Sequence, residues 1–240
     1  IAMAQVYFRA WRVNVGRCAV YLLDTNLPEN EQRYRDLTVR VYGGDTTTRI
    51  MQEILLGVGG VRLLRELGIE PSLFHMNEGH AAFLTLELIR EKLAEGKNFA
   101  EAKAATREQC IFTTHTPVEA GHDRFSEDLI SYALFKMQGQ IKLSLPELMS
   151  LGQVEEGSDT ELFCMTVLAL KLSRSANGVS ELHGQVSRRM WQPLFLNLSV
   201  DQVPIGHITY GVHLLGWMKG PVRRFWKRKL GTDWEKEINT

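Results

Sequence analysis

The sequence lacks any excess of charge. Across 240 residues, Lys plus Arg and Asp plus Glu both come to 28. That balance argues against a general nucleic-acid or anionic-membrane binder, which needs a basic surplus. Long hydrophobic runs are also missing, and none approaches the ~18 residues of a membrane span. Cysteine is scarce: Cys18, Cys110 and Cys164 share no metal-type spacing, and each lies in an apolar segment. They are expected to be reduced, buried thiols of a cytoplasmic protein, with no metal site. No secretory signal opens the chain, because Arg9 and Arg12 interrupt its first apolar stretch. Repeats and low-complexity segments are absent as well. What is present is a hydrophobic content of 44%, enough for the core of one large domain or two small ones.

Two short apolar runs organise the chain. Leu73-Phe74-His75-Met76 passes abruptly into Asn77-Glu78-Gly79-His80, and Cys110-Ile111-Phe112-Thr113 passes into Thr114-His115-Thr116. Bounded runs of this length, separated by helix-length segments, predict parallel strands joined by a helical crossover, and hence an α/β fold. Ligands bind at the carboxyl ends of such strands, so both polar clusters belong to one rim. Glu78 and His80 are expected in the first turn of a helix capped by Asn77. There a carboxylate complements the positive helix end and an imidazole stays neutral. Helix capping, sugar-hydroxyl binding and metal binding all fit that pair. Residues 115–125 hold two His, two acids and an Arg after the second strand, with Pro117 and Gly121 shaping the backbone. This loop is a candidate lid.

Around these, residues 5–24 read as two strands about a Gly16-Arg17 turn, and 24–37 as a surface loop. Thr48 is the expected N-cap of a helix over 49–67, in which Gly57, Gly59 and Gly60 call for close packing against a neighbouring backbone. GVGGV at 57–61 follows no strand and lacks the third glycine of a dinucleotide loop. Further helices are expected at 99–109, 125–137, 145–151, 161–172 and 179–191, with a break at Asn177-Gly178 and a strand at 203–209. Residues 219–229 carry six basic residues interleaved with Phe225 and Trp226, the pattern of an amphipathic surface helix. His183 is expected to be a packed histidine.

Several motifs, in order, resemble the α-glucan (glycogen, starch, maltodextrin) phosphorylase family, especially its shorter bacterial form. They are YGGD at 42–45, HMNEGHAAFLTLE at 75–87, FTTHTPVEAGHDRF at 112–125 and ANGVSELHGQVSRRMW at 176–191. PIGHITYGVH at 204–213 and LGTDW at 230–234 are weaker matches. The resemblance implies a GT-B type glycosyltransferase, with two Rossmann-like domains facing across a cleft. Residues 1–240 would form part of the N-terminal, glucan-facing domain. The family's glycine-rich loop would lie upstream, and the cofactor-binding C-terminal domain would lie on absent chain. It implies phosphorolysis of terminal α-1,4-glucosyl units by inorganic phosphate to glucose 1-phosphate. The cofactor would be pyridoxal phosphate, held by the absent domain, whose own phosphate assists proton transfer. Members of the family are often homo-oligomeric, and some are allosteric.

By the same resemblance, His115 is the catalytic residue. Its imidazole meets the sugar 6-hydroxyl, and its backbone carbonyl faces the anomeric carbon. Glu78 and His80 match an acid-x-His pair beside the glucose, Asp45 an acidic residue of a mobile loop, and Asp123 and Arg124 part of the substrate gate. Tyr210 stands where the family has an Asn on the 6-hydroxyl. Glu119 replaces a common Pro, and Thr46-Thr47-Thr48 a more charged stretch. The 240 residues alone are expected to be inactive. The other functions considered are a non-catalytic glucan-binding or interaction module and a nucleotide-sugar glycosyltransferase of the glycogen synthase kind.

Overall fold

A computed structural model describes residues 1–41 and 44–234. The chain divides into two compact units, Ile1–Ile208 and Thr209–Thr240. Tyr42 and Gly43 of the YGGD motif lie outside the described residues.

The first unit is built on four parallel strands. β1 (Arg9–Val15) and β2 (Cys18–Asp24) form a separate antiparallel ribbon. β3 (Phe74–Asn77) and β4 (Cys110–Thr113) are the two expected rim strands. β5 (Arg124–Phe125) and β6 (Phe163–Cys164) make a short antiparallel pair, and β7 (Ser175–Gly178) and β8 (Ile205–His207) complete the main sheet. Its order is β3-β4-β7-β8, with Met76 opposite Phe112 and Phe112 opposite Ala176. Parallel neighbours need crossovers. Helices Leu84–Ala94 and Phe99–Glu108 supply the first, and Glu181–Trp191 links β7 to β8. Asn98 starts the second of these helices with a reciprocal capping box to Glu101. Met76, Phe83, Phe112, Phe125 and Phe163 are fully buried between sheet and helices.

Several boundaries differ from the sequence expectation. Asp45, not Thr48, caps the helix Thr46–Ile54: its carboxylate accepts the Thr48 N–H at 2.8 Å. That helix runs on through a π turn, Leu55–Gly59, into Gly60–Glu66. A Cβ on Gly57 would stand 2.6 Å from the Leu84 nitrogen, so the expected close backbone packing holds there, but not at Gly59, which meets only side chains, or at Gly60, which meets nothing within 4 Å. Asn77 caps no helix, because the Glu78 N–H continues the sheet by donating to the Thr113 carbonyl at 2.8 Å. Regular helix begins only at Leu84, after a short turn, Gly79–Ala81. Asn177-Gly178 is not a break but the end of β7, held between β4 and β8. Phe163 and Cys164 pair with β5, so the helix expected from 161 starts at Met165. The helix expected over 125–137 is two, Glu127–Ala133 and Phe135–Ile141.

The stretch 24–37 is not simply a surface loop. Asn30 is buried and donates to the Tyr7 and Thr25 carbonyls, at 2.7 and 2.8 Å. Cys110 and Cys164 are buried thiols, and burial pushes both up, Cys110 to about 12. Cys18 contradicts the expectation and is exposed, because its face of the ribbon has no covering layer within the unit. No helix among the described residues is long and apolar enough to cross a membrane. The second unit contains Leu214–Trp217 and an exposed helix, Gly220–Leu230, the expected basic element.

Candidate active site

Where β3 and β4 end, the chain lines an open cleft of about 1380 Å³. Asp45, Glu78, His80, His115, Asp123 and Arg124 all contribute to its wall. The sequence placed these six near one site, and the fold brings them together. Tyr210 belongs to the second unit, where it is exposed.

A row of side chains crosses β3, β4 and β7. Thr113 Oγ1 donates to Asn177 Oδ1 at 3.0 Å and therefore accepts from His75 Nε2 at 2.7 Å, which puts the His75 proton on Nε2. Beside this row Glu78 adopts φ 75°, ψ 170°. That conformation is essentially reserved for glycine and costs roughly 1–3 kcal/mol. Its carboxylate accepts the His115 backbone N–H through Oε1, and the Thr116 hydroxyl through Oε2 at 3.2 Å. Glu78 was expected to cap a helix or face substrate. Its side chain caps no helix; its oxygens bond the loop that carries His115, and the residue lines the cleft.

The second cluster joins helix Thr46–Ile54 to the far end of that loop. Arg49 Nη2 and Nε reach Asp123 Oδ2 at 3.0 and 3.2 Å. The same guanidinium lies 2.6 Å from His80 Nδ1 and 3.0 Å from Glu53 Oε1. Glu53 is only 1% exposed, and burial, with Asp123 beside it, pushes its carboxyl up to about 8. Burial also works against the Asp123 charge, but bonds from His80 and Arg49 hold its carboxyl well below the usual range. Asp123 and then Glu53 pull His80 up to about 9, against burial and Arg49.

His80 faces two acids rather than a regular helix N-terminus, and they favour its charged form, whereas its contact with Arg49 is the one the expected neutral imidazole makes. A guanidinium can only donate, so the 2.6 Å contact is that of a ring with no proton on Nδ1. Asp123 Oδ2 and Glu53 Oε1 lie 3.5 and 3.7 Å from the same Nδ1, as acceptors for a proton placed there. Glu53, His80 and Asp123 also place one ligand atom each within 4.8 Å of one another, the arrangement of a metal site. The Arg49 guanidinium touches all three, so the protein fills the cationic place itself.

Arg49 and Glu53 were missed from sequence. One signal existed: Glu53 falls on the face of Ile50, Ile54 and Gly57, where an acid needs a buried partner. His122 turns inward, with Nδ1 2.8 Å from Thr166 Oγ1 and its ring edge-on to Trp191, and burial lowers its pKa. His183 is buried, and its Nδ1 accepts the Val179 N–H at 3.2 Å, as a packed histidine would.

No protein-family model matches the chain. Curated relatives do. Maltodextrin phosphorylase of Thermococcus litoralis is 43% identical over 230 residues, which is 95% of this chain and 27% of the relative. Glycogen phosphorylase of Mycobacterium tuberculosis is 41% identical over 237 residues, covering 94% and 27%. Glycogen phosphorylase of Aquifex aeolicus is 35% identical over 227 residues, covering 95% and 32%. The chain is therefore homologous, over nearly all of its own length, to the glycogen and maltodextrin phosphorylases, and it spans roughly a third or less of theirs.

Proposed function

We propose that this cleft is the glucosyl-facing wall of an α-glucan phosphorylase. Residues 1–240 then form part of the N-terminal domain of a longer polypeptide, and the parallel sheet is half of a GT-B type, Rossmann-like pair. One observation carries the reading: Asp45, Glu78, His80, His115, Asp123 and Arg124 converge at the carboxyl ends of β3 and β4, in a chain homologous to phosphorylases.

A terminal α-1,4-glucosyl unit meets here a wall dense in donors and acceptors. The His115 imidazole binds the 6-hydroxyl. Its carbonyl oxygen faces the anomeric carbon, where a fixed dipole stabilises the positive charge that develops as the glycosidic bond opens. Inorganic phosphate takes the glucosyl group, giving glucose 1-phosphate. Asp45 and His80 shape the pocket rim, and Asp123 and Arg124 line the entry. Among the described residues no lysine lines the cleft, so those present do not fit the Schiff base of pyridoxal phosphate. That cofactor belongs with the remainder of the polypeptide. The setting we propose is cytoplasmic, and the assembly a homo-oligomer.

The isolated chain is expected to release no glucose 1-phosphate from maltoheptaose and phosphate with added pyridoxal phosphate, whereas the longer polypeptide turns over. Turnover by the chain alone overturns the division of the site. Absence of turnover by the longer polypeptide, with glucan binding intact, favours a glucan-binding module instead. His115→Ala in this chain is expected to weaken maltoheptaose roughly three- to tenfold, the effect of one hydrogen bond.

A further inference from the structure

We infer that Glu78 is the positioning residue of the His115 loop, and that its backbone is held in a glycine-like conformation so that one carboxylate can clasp two successive residues of that loop. Three observations carry this. Glu78 occupies φ 75°, ψ 170°, where a glycine would sit without strain. A side chain is kept there nonetheless, and both its oxygens are engaged: Oε1 by the His115 N–H, Oε2 by the Thr116 hydroxyl. The backbone on either side is fixed, because the Glu78 N–H is tied to Thr113 and a Cβ on Gly79 would stand 3.2 Å from the Met165 Cβ.

Sequence neighbours cannot do this work. Pro117, two residues past His115, offers no N–H to the sheet. Beyond Thr114, whose N–H bonds the Asn177 carbonyl at 3.0 Å, the strand ladder has ended. The clasp takes over where the ladder stops. By fixing the His115 N–H it orients the Thr114–His115 peptide plane, and the bond to the Thr116 hydroxyl holds the residue after His115. An acceptor with two oxygens matches one backbone donor and one hydroxyl donor, and the charged form makes the stronger bonds. Glu78 thus serves the site through His115 rather than through a sugar hydroxyl.

The test has two arms. In this chain, amide exchange of His115 in Glu78→Gly is expected to speed up by on the order of tenfold or more, while Met76 and Phe112 amides stay slow. Glycine accepts the backbone conformation, so the thermal midpoint of that variant should hold or rise. Glu78→Gln keeps an acceptor and a donor and should lie between. An unchanged His115 exchange rate in Glu78→Gly overturns the clasp.

The second arm rests on the phosphorylase reading. In the longer polypeptide Glu78→Gly should lower kcat by about 100-fold, the effect of misplacing a group by an ångström, with the KM for maltoheptaose little changed. A raised KM with unaltered kcat would overturn positioning in favour of direct sugar contact. If the parent polypeptide shows no phosphorolysis while the exchange arm succeeds, the functional reading fails and the clasp stands.

Discussion

Around the cleft, Glu53 is 1% exposed, with Arg49, His80 and Asp123 pressed about it. On the β1–β2 ribbon the opposite holds. Register places Trp11 opposite Leu22, Val13 opposite Val20 and Val15 opposite Cys18, so these six side chains share one face. The five large apolar ones are between 40% and 58% exposed. One region hides charge and the other shows apolar surface. Burying an acid is tolerated only with partners, and here Glu53 and Asp123 share the Arg49 guanidinium while Glu78 is held by the His115 N–H and the Thr116 hydroxyl. The ribbon has no comparable constraint within its unit, so its side chains are held chiefly by the neighbouring strand. The difference teaches where substitutions should be felt: by dependence on specific partners, not by hydrophobicity.

The sharpest way to break that comparison is Arg49→Ala. It strips Asp123 and Glu53 of their shared cation and should cost about 3 kcal/mol in urea unfolding, as removing one member of a buried pair does. A loss below a few tenths would mean that His80 alone balances both acids. Next is Gly57→Ala, whose new methyl would meet the Leu84 backbone nitrogen at 2.6 Å. Backbone cannot swing aside like a side chain, so a loss of about 1–3 kcal/mol is expected.

A third test uses pH. Glu53 is raised from 4.5 to about 8 and His80 from 6.5 to about 9. Both bind their proton more tightly when folded, so the stability they contribute is full below pH 4.5 and is lost as pH rises toward 9. Asp123, held low, acts oppositely: its contribution is present above pH 3.8 and fades as acid protonates it. The urea midpoint should therefore fall between pH 5 and 9, and Glu53→Gln should flatten the lower part of that slope. An equally steep profile in Glu53→Gln would move the titration elsewhere. The smallest effect is expected on the ribbon. Val13→Thr and Val20→Thr should each change stability by less than about 0.5 kcal/mol. A larger loss would show that this face is covered in solution.

Much of the rim was legible in the sequence, because apolar runs that stop abruptly are local signals. Phe74 to Asn77 and Cys110 to Thr113 became neighbouring parallel strands, and their polar ends share the cleft. The errors have a common origin. Asn77 has good capping chemistry, but the N–H of its successor, Glu78, was already taken by Thr113, 35 positions beyond Glu78. Asn177-Gly178 carries a turn signal, yet the strand lies between two partners that satisfy its backbone. Thr48 lost the cap to Asp45, a choice between two good acceptors that propensity does not rank.

By itself the sequence determined the alternation of strands and helices, the close approach at Gly57 and the residue types that gather at the strand ends. These depend on hydrophobic period, side-chain size and local hydrogen bonding. Only the tertiary structure decided that β4 runs between β3 and β7, that Arg49 and Glu53 enter from a distant helix, and that the Glu78 carboxylate closes on the His115 loop. The reason is physical: a buried charge or an unpaired N–H must find a partner in space, and chain order does not say where that partner will be.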